Sequence, residues 1–79
     1  MRPAAPKKYN SALAAVIAEV RQSAGVSQRR LSDMLGRPNA YISKIETGRK
    51  MAHAYDLHAI GRVLGIDPAV LMERVERRL

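Results

Sequence analysis

Glycine and proline punctuate this chain so closely that only short helices fit between them. Gly25, Gly36, Gly48 and Gly65 each follow a stretch whose apolar residues recur at helical spacing, and each stands where such a helix should stop. Pro38 and Pro68 cannot sit inside a helix yet are welcome at its first turn, where a missing N–H costs nothing. Five helices and no strand are therefore predicted. The first runs from Ser11, with Asn10 or Ser11 as N-cap, toward Gly25 and carries Leu13, Val16, Ile17, Val20 and Ala24. The second runs from an N-cap at Ser27 to Leu35, with Leu31, Met34 and Leu35 apolar, and the third from Pro38 through Ile42 and Ile45 to Thr47. The fourth, Ala54 to Leu64, carries Leu57, Ile60, Gly61 and Leu64; the fifth starts at the Asp67 cap and Pro68 and carries Leu71, Val75 and Leu79. Residues 1–10 hold two prolines and three basic residues with little to bury, and read as a flexible basic arm before one domain, 11–79.

A chain of 79 residues buries only about 60% of the surface its unfolded form exposes, too little to divide into two cores. Cysteine is absent, which removes disulfides and thiolate zinc sites as sources of stability. Phe and Trp are absent too, so the core is expected to be aliphatic. No run approaches the ~18 apolar residues of a membrane span and no secretory h-region opens the chain, so a cytoplasmic protein is expected. The formal charge is +7, and its distribution is uneven: residues 1–50 hold ten Lys/Arg against three Asp/Glu, while residues 51–79 hold four of each. A polyanion-facing half joined to a neutral half that packs or pairs fits this asymmetry.

The second and third helices, joined by a tight turn, have the proportions of a helix-turn-helix. Leu31 and Leu35 can anchor the second helix, Ser32 is small enough for close approach, Gly36 can take the left-handed turn, and Ile42 with Ile45 can bury the inner face of the third. With the third helix in a major groove, Asn39, Ala40, Ser43 and Lys44 would face base edges: Asn suits adenine, Lys suits guanine O6 and N7, and Ala suits a thymine methyl. Gln28 opens the second helix, where free backbone N–H groups favour an anion. Ser27, Arg29, Arg37, Thr47, Arg49 and Lys50 would ring the interface at phosphate level, setting affinity and not sequence choice. Tyr41 either packs beneath the helix or rests its hydroxyl on a phosphate.

The combined pattern Gly25-Val26-Ser27-Gln28, Leu31-Ser32, Leu35-Gly36, Tyr41-Ile42-Ser43-Lys44-Ile45-Glu46, Gly48-Arg49, then Leu57, Ile60 and Leu64-Gly65 resembles the repressor-type helix-turn-helix domains of phage repressors, Cro proteins and bacterial xenobiotic-response-element (XRE) regulators. The resemblance spans roughly residues 11–72. It implies an all-α, five-helix, lambda-repressor-like bundle from a bacterium or phage, sequence-specific binding to double-stranded DNA, and a homodimer on a palindromic operator. It also implies that the Gln28 amide contacts the DNA backbone and steadies the start of the third helix, and that Arg21 pairs with Glu46, offsetting an acid otherwise disfavoured in the last turn of a DNA-facing helix. The stripe Leu71, Val75 and Leu79 with Met72 either covers the core entirely or, as is commoner in the family, supplies part of a dimer surface. The chain departs from the family in four places. Ser32 and Gly61 stand where alanine is usual, Met51 to Asp56 lacks the usual proline, and Arg37-Pro38 replaces a capping hydroxyl.

His53 and His58 are five apart and share no helix face, so no metal site is expected. Nothing arranges Ser, His and Asp as a triad, and so small a domain has little room for a substrate cleft; neither an enzyme, a cofactor, a small-molecule substrate nor a membrane partner is expected. The readings are a homodimeric transcriptional repressor or autorepressor and, as the alternative, an antitoxin-like or assembly protein of the same fold that binds nucleic acid without sequence choice. RNA binding is disfavoured for want of an aromatic stacking platform.

Overall fold

The computed structural model describes residues 6–79. Five helices follow in order, α1 (Pro6–Ser23), α2 (Gln28–Met34), α3 (Tyr41–Glu46), α4 (Ala54–Leu64) and α5 (Pro68–Arg77), with no strand among the described residues. The longest helix, α1, lies against both α3 and α5; α2 packs on α3 and α4 on α5. Its buried stripe of Leu13, Val16, Ile17 and Val20 meets Leu31 of α2, Ile42 and Ile45 of α3, Ile60 of α4, and Leu71 and Val75 of α5 in one core. That core is aliphatic apart from Tyr41.

Local chemistry sets most of the boundaries. The Ser27 hydroxyl accepts from the Arg30 N–H at 3.0 Å and caps α2. Asp67 accepts from the Ala69 N–H at 2.9 Å, with Pro68 in the first turn of α5. Gly36, with φ of +68°, makes the left-handed turn between α2 and α3.

Several boundaries differ from the sequence expectation, α2 and α3 each ending one residue early, at Met34 and Glu46. Helix α1 begins at Pro6 and not at Ser11, so residues 6–10 belong to a helix and the expected arm through residue 10 is too long; residues 1–5 of that arm lie outside the described residues. Pro6 explains this, because a proline in the first turn is as good a start as a capping side chain. At its other end α1 stops at Ser23, and Ala24 is exposed. Helix α3 begins at Tyr41 and not at Pro38. The Tyr41 N–H reaches the Pro38 carbonyl at 2.9 Å, and Ala40 has φ −89° and ψ 5°, the dihedrals of the third residue of a type I turn. Pro38, Asn39 and Ala40 therefore form a reverse turn that leads into the helix.

Gly61 explains its own departure from alanine. A Cβ there would lie 2.6 Å from the backbone oxygen of Ile66 and 3.1 Å from Cγ of Pro68, so α4 and the start of α5 approach through the missing side chain. The same contact lets the Ile66 N–H bond the Gly61 carbonyl at 2.8 Å. Gly61→Ala gains up to about 1 kcal/mol of helix propensity but forces a backbone shift in a packed region, which typically costs ~1–3 kcal/mol. A net loss of stability is expected in urea denaturation; a variant as stable as the parent would show that the contact is not tight.

Candidate nucleic-acid interface

Helix α3 turns Tyr41, Ile42 and Ile45 inward, and all three are buried. Its outer side presents exposed Lys44 and half-buried Ser43, and the turn before it presents exposed Asn39 and Ala40. The four expected base-facing residues thus lie together on one side, but Asn39 and Ala40 precede the helix and are not part of its first turn. Ser27, Arg29, Thr47, Arg49 and Lys50 are exposed as well.

Two carboxylates and one hydroxyl hold this surface in place. Glu46 accepts from Arg21 Nε at 2.7 Å and Arg21 Nη2 at 3.1 Å, and also from Gln28 Nε2 at 2.9 Å. Arg21 further donates to the Val26 carbonyl at 2.9 Å. One carboxylate on α3 therefore gathers side chains from α1 and α2, and the pair is largely buried, with side-chain exposures of 11% and 8%. The ion pair expected from the family resemblance is present as a bidentate contact. Gln28, expected to steady the start of α3, instead bonds the acid at its end, so its amide N–H is engaged inside the protein. The Ser32 hydroxyl donates to the Gln28 carbonyl at 3.0 Å and accepts from the Ile42 N–H at 3.1 Å. That second bond satisfies a buried backbone donor at the start of α3, a task alanine could not perform.

Asp56, on α4, is the residue that sequence reasoning missed. Its side chain is 1% exposed, yet it accepts from the Tyr41 hydroxyl, from Arg37 Nη2 at 3.0 Å and from the His53 backbone N–H at 3.3 Å. An acid three residues into a helix is a recognisable capping signal, which explains the His53 bond; nothing in the local sequence points to Arg37 or Tyr41. The Arg37 guanidinium also lies 4.9 Å from the centre of the Tyr41 ring, with Lys50 5.5 Å away. Burial, then the hydrogen bond and charge of Asp56, push the Tyr41 hydroxyl up to about 12. For Asp56 burial works to raise the carboxyl, but hydrogen bonds from Tyr41, the His53 N–H and Arg37, with the Arg37 charge, outweigh it and leave Asp56 below the ordinary value.

These contacts correct parts of the expected site. Tyr41 packs beneath α3 and gives its hydroxyl to Asp56, so it is removed from the phosphate ring. Arg37 spends one N–H on Asp56 but keeps the rest of a 38% exposed side chain toward solvent. Thr47 donates its hydroxyl to the Ser43 carbonyl at 2.9 Å. On α5, Leu71 and Val75 are 1% and 0% exposed inside the protein's own core and cannot serve as a partner surface, whereas Leu79 is exposed and Met72 half-buried. The basic residues divide accordingly. Arg77 pairs with Glu73 at 2.6 Å and Arg78 with Glu19, while Arg29, Arg30, Lys44, Arg49 and Lys50 join no ion pair among the described residues.

Residues 12–75 match the family of helix-turn-helix domains. An XRE-family-like protein from Pseudomonas syringae pv. tomato is 31% identical, with a TM-score of 0.77 over 89% of this chain and 84% of that one. The chain belongs to the XRE-type helix-turn-helix family. The structure is also similar to the clp gene regulator ClgR of Corynebacterium glutamicum, at 26% identity and TM-score 0.79 over 89% of this chain and 90% of that one. The restriction-modification controller protein C.Esp1396I shares the fold at 24% identity and TM-score 0.80, over 89% of this chain and 92% of its own. A search of curated protein sequences gives no match. Among the described residues no helix is long and apolar enough to cross a membrane, and no group of side chains could hold a metal ion. Members of this family carry the DNA-binding regulator fold, and the helix-turn-helix of this chain is α2 and α3.

Two measurements test the buried network. Glu46→Ala leaves the Arg21 guanidinium largely buried without its carboxylate and should cost about 3 kcal/mol in urea denaturation, with Arg21→Met/Glu46→Ala costing less than the sum of the single changes. Strict additivity would mean the two side chains do not interact. For pH, the Asp56 contribution is present above its ordinary 3.8 and is lost as pH falls through its lower folded value. The Tyr41 contribution is complete below 10.0 and is lost as pH rises through about 12. Asp56→Asn should flatten the acid limb of stability against pH, and Tyr41→Phe the alkaline limb; limbs that match the parent would show that neither group is linked to folding.

Proposed function

We propose that this protein is a sequence-specific, double-stranded-DNA-binding transcriptional regulator, acting as a homodimeric repressor or autorepressor with α3 in the major groove. One observation carries the reading. The face of α3 and its lead-in turn that is turned away from the core bears Asn39, Ala40, Ser43 and Lys44, and Lys44 with the exposed Arg29, Arg30, Arg49 and Lys50 joins no ion pair among the described residues. The ClgR protein is a gene regulator and C.Esp1396I a controller protein, which supports regulation as the role.

In this reading Asn39, Ala40, Ser43 and Lys44 contact bases, and Ser27, Arg29, Arg37, Thr47, Arg49 and Lys50 contact phosphate and sugar. Gln28 orders Glu46 and lies beside the backbone of the DNA. Exposed Leu79 and half-buried Met72 remain from the α5 surface for a partner copy, joined by exposed Val70. A dimer of this geometry reads half-sites about 34–36 Å apart, one turn of the duplex.

Selection of bound duplexes from a random pool is expected to enrich a palindrome with that spacing. Asn39→Ala or Lys44→Ala should then change which bases are preferred, each costing about 1–3 kcal/mol at its own position, while Arg49→Ala weakens all sequences alike and lowers the salt slope by about one. Sedimentation of the protein alone and with the selected duplex reports its stoichiometry, two copies per palindrome being expected. A pool with no enriched motif would instead favour the interaction protein, for which the apolar groove of about 610 Å³ between Tyr9, Leu13, Met51, Leu57 and Met72 offers a surface.

A further inference from the structure

The turn that leads into α3 has little support of its own. Its residues Pro38, Asn39 and Ala40 are all exposed, and Ala40, the N-cap, makes no side-chain bond to the helix. Apart from backbone bonds of the Tyr41 N–H to the Pro38 carbonyl, the Lys44 N–H to the Ala40 carbonyl and the Arg37 N–H to the Ser32 carbonyl, at 2.9, 2.9 and 3.0 Å, the turn is held by its flanking side chains. Both of those flanks end on the same buried group. Arg37, just before the turn, bonds Oδ1 of Asp56, and Tyr41, just after it, bonds Oδ2. The Arg37 guanidinium over the Tyr41 ring closes the triangle. Asp56 is in turn anchored to α4 by the His53 N–H. A carboxylate can accept on both oxygens at once, and no neutral side chain of the same shape can do so for two donors without presenting an N–H to one of them.

We propose that Asp56 is a specificity-positioning residue: although buried in α4 and away from the outer surface, it sets which bases Asn39 and Ala40 can read by stapling the two ends of their turn. The inference rests on the DNA-binding reading above. Misplacing a base-reading amide by a fraction of a hydrogen-bond length forfeits the bidentate geometry that separates one base from another, while contacts to phosphate tolerate it. Arg37 gains by the same arrangement. Held by a carboxylate and an aromatic face, it offers its remaining N–H groups to a phosphate from a fixed position and not from a floppy stem.

The test is random-pool selection with the parent, Asp56→Asn, Tyr41→Phe and Asn39→Ala, each shown to be folded by circular dichroism at the binding temperature. In Asp56→Asn one flank loses its acceptor, so the enriched motif should blur at the positions that Asn39→Ala blurs and nowhere else. Preference at those positions should drop by about tenfold, while the salt dependence of binding stays that of the parent. Tyr41→Phe keeps the ring in place and removes one arm of the staple; it should give a smaller effect at the same positions, and it carries the test if Asp56→Asn does not fold. A loss spread evenly over all sequences, or an unchanged motif in the folded variants, would overturn the role of Asp56 and leave the DNA-binding reading intact. If the parent itself enriches no motif, the sequence-specific reading falls, and this inference falls with it.

Discussion

A helix of six residues has no stability of its own in water, because nucleation costs more than so few hydrogen bonds return. Everything about α3 is therefore imposed on it by its neighbours. Ile42 and Ile45 bury its inner face against α1 and α2, and the Ser32 hydroxyl takes the Ile42 N–H near its start. Glu46 ties its last turn to α1 and α2, and Asp56 ties the turn before it to α4. Each end is thus fixed by an acid on one side and cations or hydroxyls on the other. The outward surface is rigid because the inward one is fully committed.

Packing and capping were legible in the sequence; long-range polar partners mostly were not. Helical spacing located Leu13, Val16, Ile17, Val20, Leu31, Ile42, Ile45, Ile60, Leu71 and Val75, and all ten are buried. Those signals are local, since a periodic stripe or a cap is written within a few residues. The same locality misled where a proline could mean two things. Pro6 begins a helix and Pro38 begins a turn, and only the tertiary contacts of Arg37 and Tyr41 explain the second outcome. On α5 the periodicity located the stripe but left its use open between the core and a partner copy. Leu71 and Val75 face inward because the small core needs them, which no stripe on a single helix can say.

The site shows a similar split. That Asn39, Ala40, Ser43 and Lys44 share one outward side could be read from helix-turn-helix proportions. That Gln28 would serve Glu46, or that Asp56 would hold Tyr41 and Arg37, could not, because the partners are 18, 15 and 19 residues apart and belong to different helices. Arg21 and Glu46, 25 apart, were reachable only through resemblance to a family. Polar contacts between distant segments leave no periodic trace.

The consequence is a division of the basic residues that composition alone conceals. The net charge of +7 suggests a surface that is sticky throughout, but Arg21 is consumed in the interior, Arg37 is half consumed, and Arg77 and Arg78 are paired at the other end. Of the exposed cations that join no ion pair among the described residues, Arg29, Arg30, Lys44, Arg49 and Lys50 belong to α2, α3 and the loop after it, while Lys7 and Lys8 lie on α1, Arg62 on α4 and Arg74 on α5. Two of the acids near these cations, Glu46 and Asp56, are turned inward and each held by an arginine, while Asp33 on α2 stays exposed. The same two carboxylates thus have two effects: paired with arginines they hold α3 to its neighbours, and they are withdrawn from its outer face.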